Sequence, residues 1–124
     1  MKRWFGSGSQ WFSVTALRAV FFALLMLCVY VGLRERPVPE IFRHFDWVLH
    51  WGAFFCLALL SFLVFPPRTW ILAIPLLLIA GGGIELLQGA FLPDRTASWS
   101  DFSADTLGVF FGVAAGALLR VYRR

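Results

Sequence analysis

Seven polar side chains carry the chemistry this sequence could perform: Asp46, His50, Glu85, Gln88, Arg95, Asp101 and Asp105. Asp46 and His50 are four residues apart, Glu85 and Gln88 three, and Asp101 and Asp105 four, so on helices each pair shares one face. Carboxylates and an imidazole exchange protons, and an arginine clamps an anion. His50, Glu85 and Asp105 are therefore the catalytic candidates, with Glu85 or Asp105 as general base, His50 as proton shuttle and Arg95 as electrophilic clamp. Oxygen and nitrogen ligands from His50, Glu85, Asp101 and Asp105 would suit a divalent ion. No tight ligand spacing supports one, so neither a metal nor a cofactor is expected. No nucleophile motif is visible. Binding therefore ranks ahead of catalysis, and whether the chain is an enzyme stays open.

Each residue also has a purely structural reading. Asp46 either caps a helix start or belongs to a site. Ser98 with Asp101 fits a capping box ahead of an apolar run. Asp105 lies one turn further in, beyond simple capping, which favours a site or network role. Glu85 is deeper still. An unpaired carboxylate in lipid costs several kcal/mol, so it must be paired, neutralised or facing a wet cavity. Gln88 either bridges helices or lines the site. His50 is an interhelical donor, a proton-transfer group or a metal ligand. Arg95 is a rim residue or the cation that balances the acids. His44 belongs to a loop at the interface.

The elements that hold these residues follow from composition. Of the 124 residues, 60% are hydrophobic and 15% charged, against roughly 45–50% and about 25% in soluble domains. A water-soluble fold could not hide that apolar surface, so the expected class is an all-α integral membrane bundle forming one domain over 1–124. Four spans are expected, at about 14–33, 47–65, 70–92 and 101–119, each long enough to cross a bilayer at ~1.5 Å per residue. Met1 to Ser13 reads as a basic and polar lead. The first run is too long for a signal-peptide core and has no convincing cleavage site, so it reads as a retained span, with Arg18 snorkelling to the near interface. Pro37 and Pro39 break the first loop, and Pro66 and Pro67 force a short turn between antiparallel spans two and three. Pro75 is tolerable early in span three. Cys28 and Cys56 read as small buried hydrophobes, with a disulfide between the first two spans left open.

With four spans both termini share a side. That side holds Lys2, Arg3, Arg18, Arg68, Arg120, Arg123 and Arg124; the other holds Arg34, Arg36, Arg43 and Arg95. The bias predicts cytoplasmic termini in a multi-pass protein of the bacterial inner membrane. The net charge of +4, clustered at the termini, suits an anionic lipid surface rather than nucleic acid. Alternating span direction brings all three polar pairs to one membrane end, facing outward. Gly81, Gly82 and Gly83 allow close helix approach in span three. Gly108, Gly112 and Gly116 extend the Asp105 face as a small-residue stripe, which turns that face inward and also fits a homodimer. Trp47, Trp51, Trp70 and Trp99 lie at span ends, as in an aromatic belt.

At these residues the sequence resembles the VanZ-like family of small bacterial membrane proteins. The matching pieces are Asp46-x-x-x-His50, Glu85-x-x-Gln88, Arg95, Asp101, Thr106-Leu107-Gly108 and Gly112, which together cover roughly Asp46 to Gly116. Two positions depart from the family: Trp47 stands where lysine is frequent, and Asp105 where asparagine is common. The resemblance implies a four-helix membrane domain with a link to the cell envelope, since the family's namesake is associated with low-level resistance to teicoplanin. The expected ligand is an envelope lipid headgroup, a cell-wall precursor or a glycopeptide. The alternative is a membrane-embedded hydrolase or transferase, with or without a metal, acting on a lipid-linked envelope substrate.

Overall fold

A computed structural model describes residues 9–122 of the protein. The architecture is all-α: α1 (Ser9–Gly32), α2 (Phe45–Val64), a 3-10 turn at Pro67–Thr69, α3 (Trp70–Phe91) and α4 (Trp99–Tyr122). All four helices are long and apolar enough to cross a membrane. By length and hydropathy this is a multi-pass membrane protein, and its helices must satisfy their own backbone groups because lipid cannot.

The boundaries shift in two places. Ser9 to Ser13, expected as part of a polar lead, are already helical, and α1 ends at Gly32. The fourth helix opens at Trp99 rather than Asp101, which moves Asp101 into its first turn. Lys2, Arg3, Arg123 and Arg124, on which the orientation argument leans, lie outside the described residues. Pro75 sits inside α3 without ending it. Thr69 closes the short turn by donating its hydroxyl to the Pro66 carbonyl at 2.7 Å.

Helices α2 and α4 form the most extensive packing in the molecule. Phe54, Leu57 and Ala58 of α2 meet Val109 of α4, and Phe21 of α1 and Leu77 of α3 complete the core. The glycine stripe makes the α2–α4 approach possible. A methyl group at Gly112 would lie 2.6 Å from the Phe55 carbonyl oxygen and 2.7 Å from the Ala58 side chain, and one at Gly116 would lie 2.7 Å from the Phe62 ring. The stripe is therefore filled by α2 of the same chain. A homodimer through Gly108, Gly112 and Gly116 has no free glycine face to use, which corrects that expectation. In the glycine run of α3, Gly81 meets Asp105 and Phe54, Gly82 meets Phe102, and Gly83 meets nothing within 4 Å among the described residues.

The outer faces remain apolar. Ile71, Leu72, Leu76 and Ile79 of α3 and Met26 and Tyr30 of α1 are exposed, which suits hydrocarbon and not water. Arg18 does not simply snorkel. Its Nε donates to the Val64 carbonyl at 3.0 Å, with the guanidinium 5.8 Å from the Phe65 ring centre. It thereby satisfies a free carbonyl at the end of α2 and ties α1 to it. Cys28 is half-buried and Cys56 exposed, and both are free thiols.

Candidate functional site

The polar side chains converge where α2 and α4 begin and α1 and α3 end. Asp46 and His50 lie in the first two turns of α2, Asp101 and Asp105 in those of α4, and Glu85 and Gln88 in the last turns of α3. Alternating helix direction is sufficient to bring these six to one end.

Asp105 is 1% exposed, and its Oδ1 lies 2.7 Å from His50 Nδ1. With Asp105 as the carboxylate, Nδ1–H donates to it, and a neutral ring then keeps its free lone pair on Nε2. Nε2 faces Asp101, whose Oδ2 is 3.9 Å away, too far for a hydrogen bond. The loss of bulk at Gly81 makes room for this pair, since a methyl group there would lie 2.8 Å from Asp105 Oδ2. The glycine run of α3 thus positions the site as well as the helices.

Glu85 is 4% exposed. Its Oε2 accepts the Ser98 backbone N–H at 2.8 Å. In a complete capping box Asp101 would take that N–H. Only the other half forms: Ser98 Oγ accepts the Asp101 N–H at 3.3 Å, while Glu85 reaches across from α3 in place of Asp101. This frees the Asp101 carboxylate for the site. Glu85 Oε1 and Asp101 Oδ1 are both buried without a hydrogen-bond partner in the protein. Atoms of His50, Glu85 and Asp101 lie within 4.8 Å of one another. Asp105, counted with these three as a possible ligand, instead sits behind the imidazole.

Gln88 is 2% exposed and donates its amide to the Gly32 carbonyl at 2.6 Å. It bridges α3 to the end of α1, satisfying a carbonyl that the helix leaves free. Asp46 makes no capping bond at the α2 start, where His44 occupies the cap position in a left-handed conformation with φ of 60°. Asp46 lines the same cavity as Asp101, and like charges gathered in one site disfavour ionisation of every carboxyl there. Arg95 donates to the Arg34 carbonyl at 3.2 Å and so joins the loop after α1 to the loop before α4. Among the described residues no lysine or arginine forms an ion pair with a carboxylate; His50 alone does, with Asp101 and Asp105. Arg95 is thus a rim residue rather than a direct partner of the acids.

A cavity of about 590 Å³ opens on this cluster, lined by Asp46, His50, Gln88, Arg95, Asp101 and Asp105. Its other wall is apolar and is shared by Leu24, Leu27, Cys28 and Val31 of α1 with Leu49, Ala53 and Phe54 of α2. Glu85 does not line it. The α1 wall, the Ser98 backbone N–H as partner of Glu85 and the Gly32 carbonyl escape sequence reasoning. Apolar side chains in a span carry no sign of facing a cavity rather than lipid, and backbone groups carry no residue signal at all. Trp47, read only as belt, stacks on His44 with ring centres 3.9 Å apart and donates to Ser100 Oγ at 3.2 Å. It clips the α2 and α4 starts together. Comparison with protein-family models, with curated proteins and with solved structures found no match for this chain.

Proposed function

We propose that this chain is a VanZ-like protein of the bacterial inner membrane, with both termini in the cytoplasm, whose outward-facing cavity binds the headgroup of an envelope lipid or lipid-linked cell-wall precursor. The observation that carries the reading is the two-faced cavity. A polar end built by α2, α3, α4 and the loop before α4 adjoins an apolar wall to which α1 contributes Leu24, Leu27 and Val31, as an amphiphile with a polar head and a hydrocarbon tail requires. Its volume of about 590 Å³ lies within the roughly 300–1,000 Å³ of small-molecule sites and is small for a whole glycopeptide. The α2 and α4 N-termini direct their positive dipole ends at the cluster, and Arg95 stands on the rim, so an anionic headgroup is favoured. The order and spacing of Asp46, His50, Glu85, Gln88, Arg95, Asp101 and Gly108 support the family, and the arginine and lysine bias supports the orientation.

The test is binding of a photo-crosslinkable prenyl phosphate to the protein in nanodiscs, with peptide mapping of the adduct. Adducts are expected on Leu27 or Val31 of α1, and Arg95→Ala is expected to reduce crosslinking about tenfold. Unchanged crosslinking in that variant, or adducts confined to the outer face of α3, would refute the reading. For the orientation, Asp94→Cys is expected to react with an impermeant maleimide in intact spheroplasts; protection until lysis would reverse it.

One observation favours a second reading. The Asp105–His50 pair holds an imidazole with Nε2 free beside the cavity, as a general base is held. In that reading the chain is a membrane-embedded hydrolase or transferase acting on the same lipid. Turnover of a lipid-linked phosphate that disappears in His50→Gln would favour it over simple binding.

A further inference from the structure

We propose that His50, Glu85 and Asp101 form a binding site for one first-row divalent cation, Zn²⁺ or Mn²⁺, with Asp105 orienting the histidine. The inference stands on observations separate from the two-faced cavity. One atom from each of the three residues lies within 4.8 Å of the others. Glu85 is more than nine-tenths buried, and its Oε1 has no protein partner; Asp101 Oδ1 is likewise a buried atom without a protein partner. The 3.9 Å gap between His50 Nε2 and Asp101 Oδ2 is too wide for a hydrogen bond. An ion about 2.0–2.2 Å from each atom spans it.

The His50–Asp105 bond supplies the arrangement expected behind a metal-bound imidazole. A carboxylate on Nδ1 fixes the tautomer and aims Nε2 at the ion. Charge supports the same conclusion. Two carboxylates balance one divalent ion, and among the described residues no arginine or lysine pairs with them. Asp46, which lines the same cavity as Asp101, adds further negative charge that a cation would offset. One imidazole with two carboxylates suits Zn²⁺ or Mn²⁺ better than Mg²⁺, which keeps its water and prefers oxygen. The residues come from three helices, which explains the lack of any sequence spacing motif. A site of this kind also holds α2, α3 and α4 together at one end.

The experiment uses untagged full-length protein in detergent, stripped with chelator and titrated with Zn²⁺ or Mn²⁺ alone by calorimetry. About one ion per chain is expected. His50→Ala and Glu85→Gln are each expected to weaken binding at least tenfold, and Asp105→Asn by about 10–100-fold. X-ray absorption of the Zn²⁺-loaded wild type guards against variants that do not fold: one imidazole and only nitrogen and oxygen donors are expected. No stoichiometric uptake of either ion, wild-type affinity in His50→Ala, or a sulfur donor in the shell would each overturn the proposal. Because the probe is the metal alone, a protein that takes up the ion and ignores the prenyl phosphate refutes only the headgroup reading. One that crosslinks the lipid without taking up an ion refutes only the metal site.

Discussion

Glu85 shows how one side chain can serve two ends. Its Oε2 holds the Ser98 N–H at the start of α4, and its Oε1 is buried without a protein partner. The two roles separate by substitution. Glutamine keeps an oxygen for Ser98 and removes the charge, so Glu85→Gln is expected to fold with near-native thermal stability in detergent. Alanine leaves a buried N–H unsatisfied, and Glu85→Ala is expected to lose about 1–3 kcal/mol. Equal stability of the two variants, read from thermal unfolding, would show that the Ser98 bond contributes nothing. At this scale the sequence was most informative about ionisable groups, because a carboxylate deep in an apolar run demands an explanation. It was least informative about partners. That Asp105 would stand behind His50 rather than beside it, and that Arg95 would turn to the Arg34 carbonyl, depend on distances of a few ångströms between helices far apart in sequence.

The helices themselves were legible from hydropathy and proline, since a membrane span requires a long uninterrupted apolar run. Their ends were less so: Trp99 and Ser100 extend α4 by two residues because Ser98 supplies the cap. The glycine stripe was legible as a packing face but not as to its partner. A small-residue face serves an intrachain helix as well as a second copy, and only the position of α2 decides between them. The packing makes a paired expectation. Gly112→Ala places a methyl group 2.6 Å from the Phe55 carbonyl oxygen, and the α2–α4 pair must spread, at a cost of about 1–3 kcal/mol. Gly83→Ala meets nothing within 4 Å, and should be neutral or stabilising by up to about 1 kcal/mol, as alanine is the better helix former. Melting temperatures of the two variants check this; a Gly83→Ala loss as large as that of Gly112→Ala would contradict it.

For the whole molecule, the polar and apolar parts divide by position along the bundle. Lipid-facing surfaces of α1 and α3 are aliphatic and aromatic, the α2–α4 seam is apolar and closely packed, and the buried acids gather at one end. The cavity arises there because α1 stands beside the polar cluster, joined to α3 by the Gln88–Gly32 bond and to the far end of α2 by Arg18. The existence of a shared polar end could be read from helix count and direction. The cavity could not, because it depends on how far α1 stands from its neighbours, and hydropathy carries no record of that distance.

The most direct test of this convergence is a distance measured in a bilayer. His44 and His50 are the only histidines, so His44→Gln leaves one imidazole to label with ¹⁵N, alongside ¹³Cγ-labelled aspartate. Solid-state dipolar recoupling should then show a strong ¹⁵N–¹³C contact from Nδ1, consistent with the 2.7 Å hydrogen bond, that vanishes in Asp105→Asn. A His50 ring with no aspartate carbon nearby would show that these helices do not bring their polar side chains together.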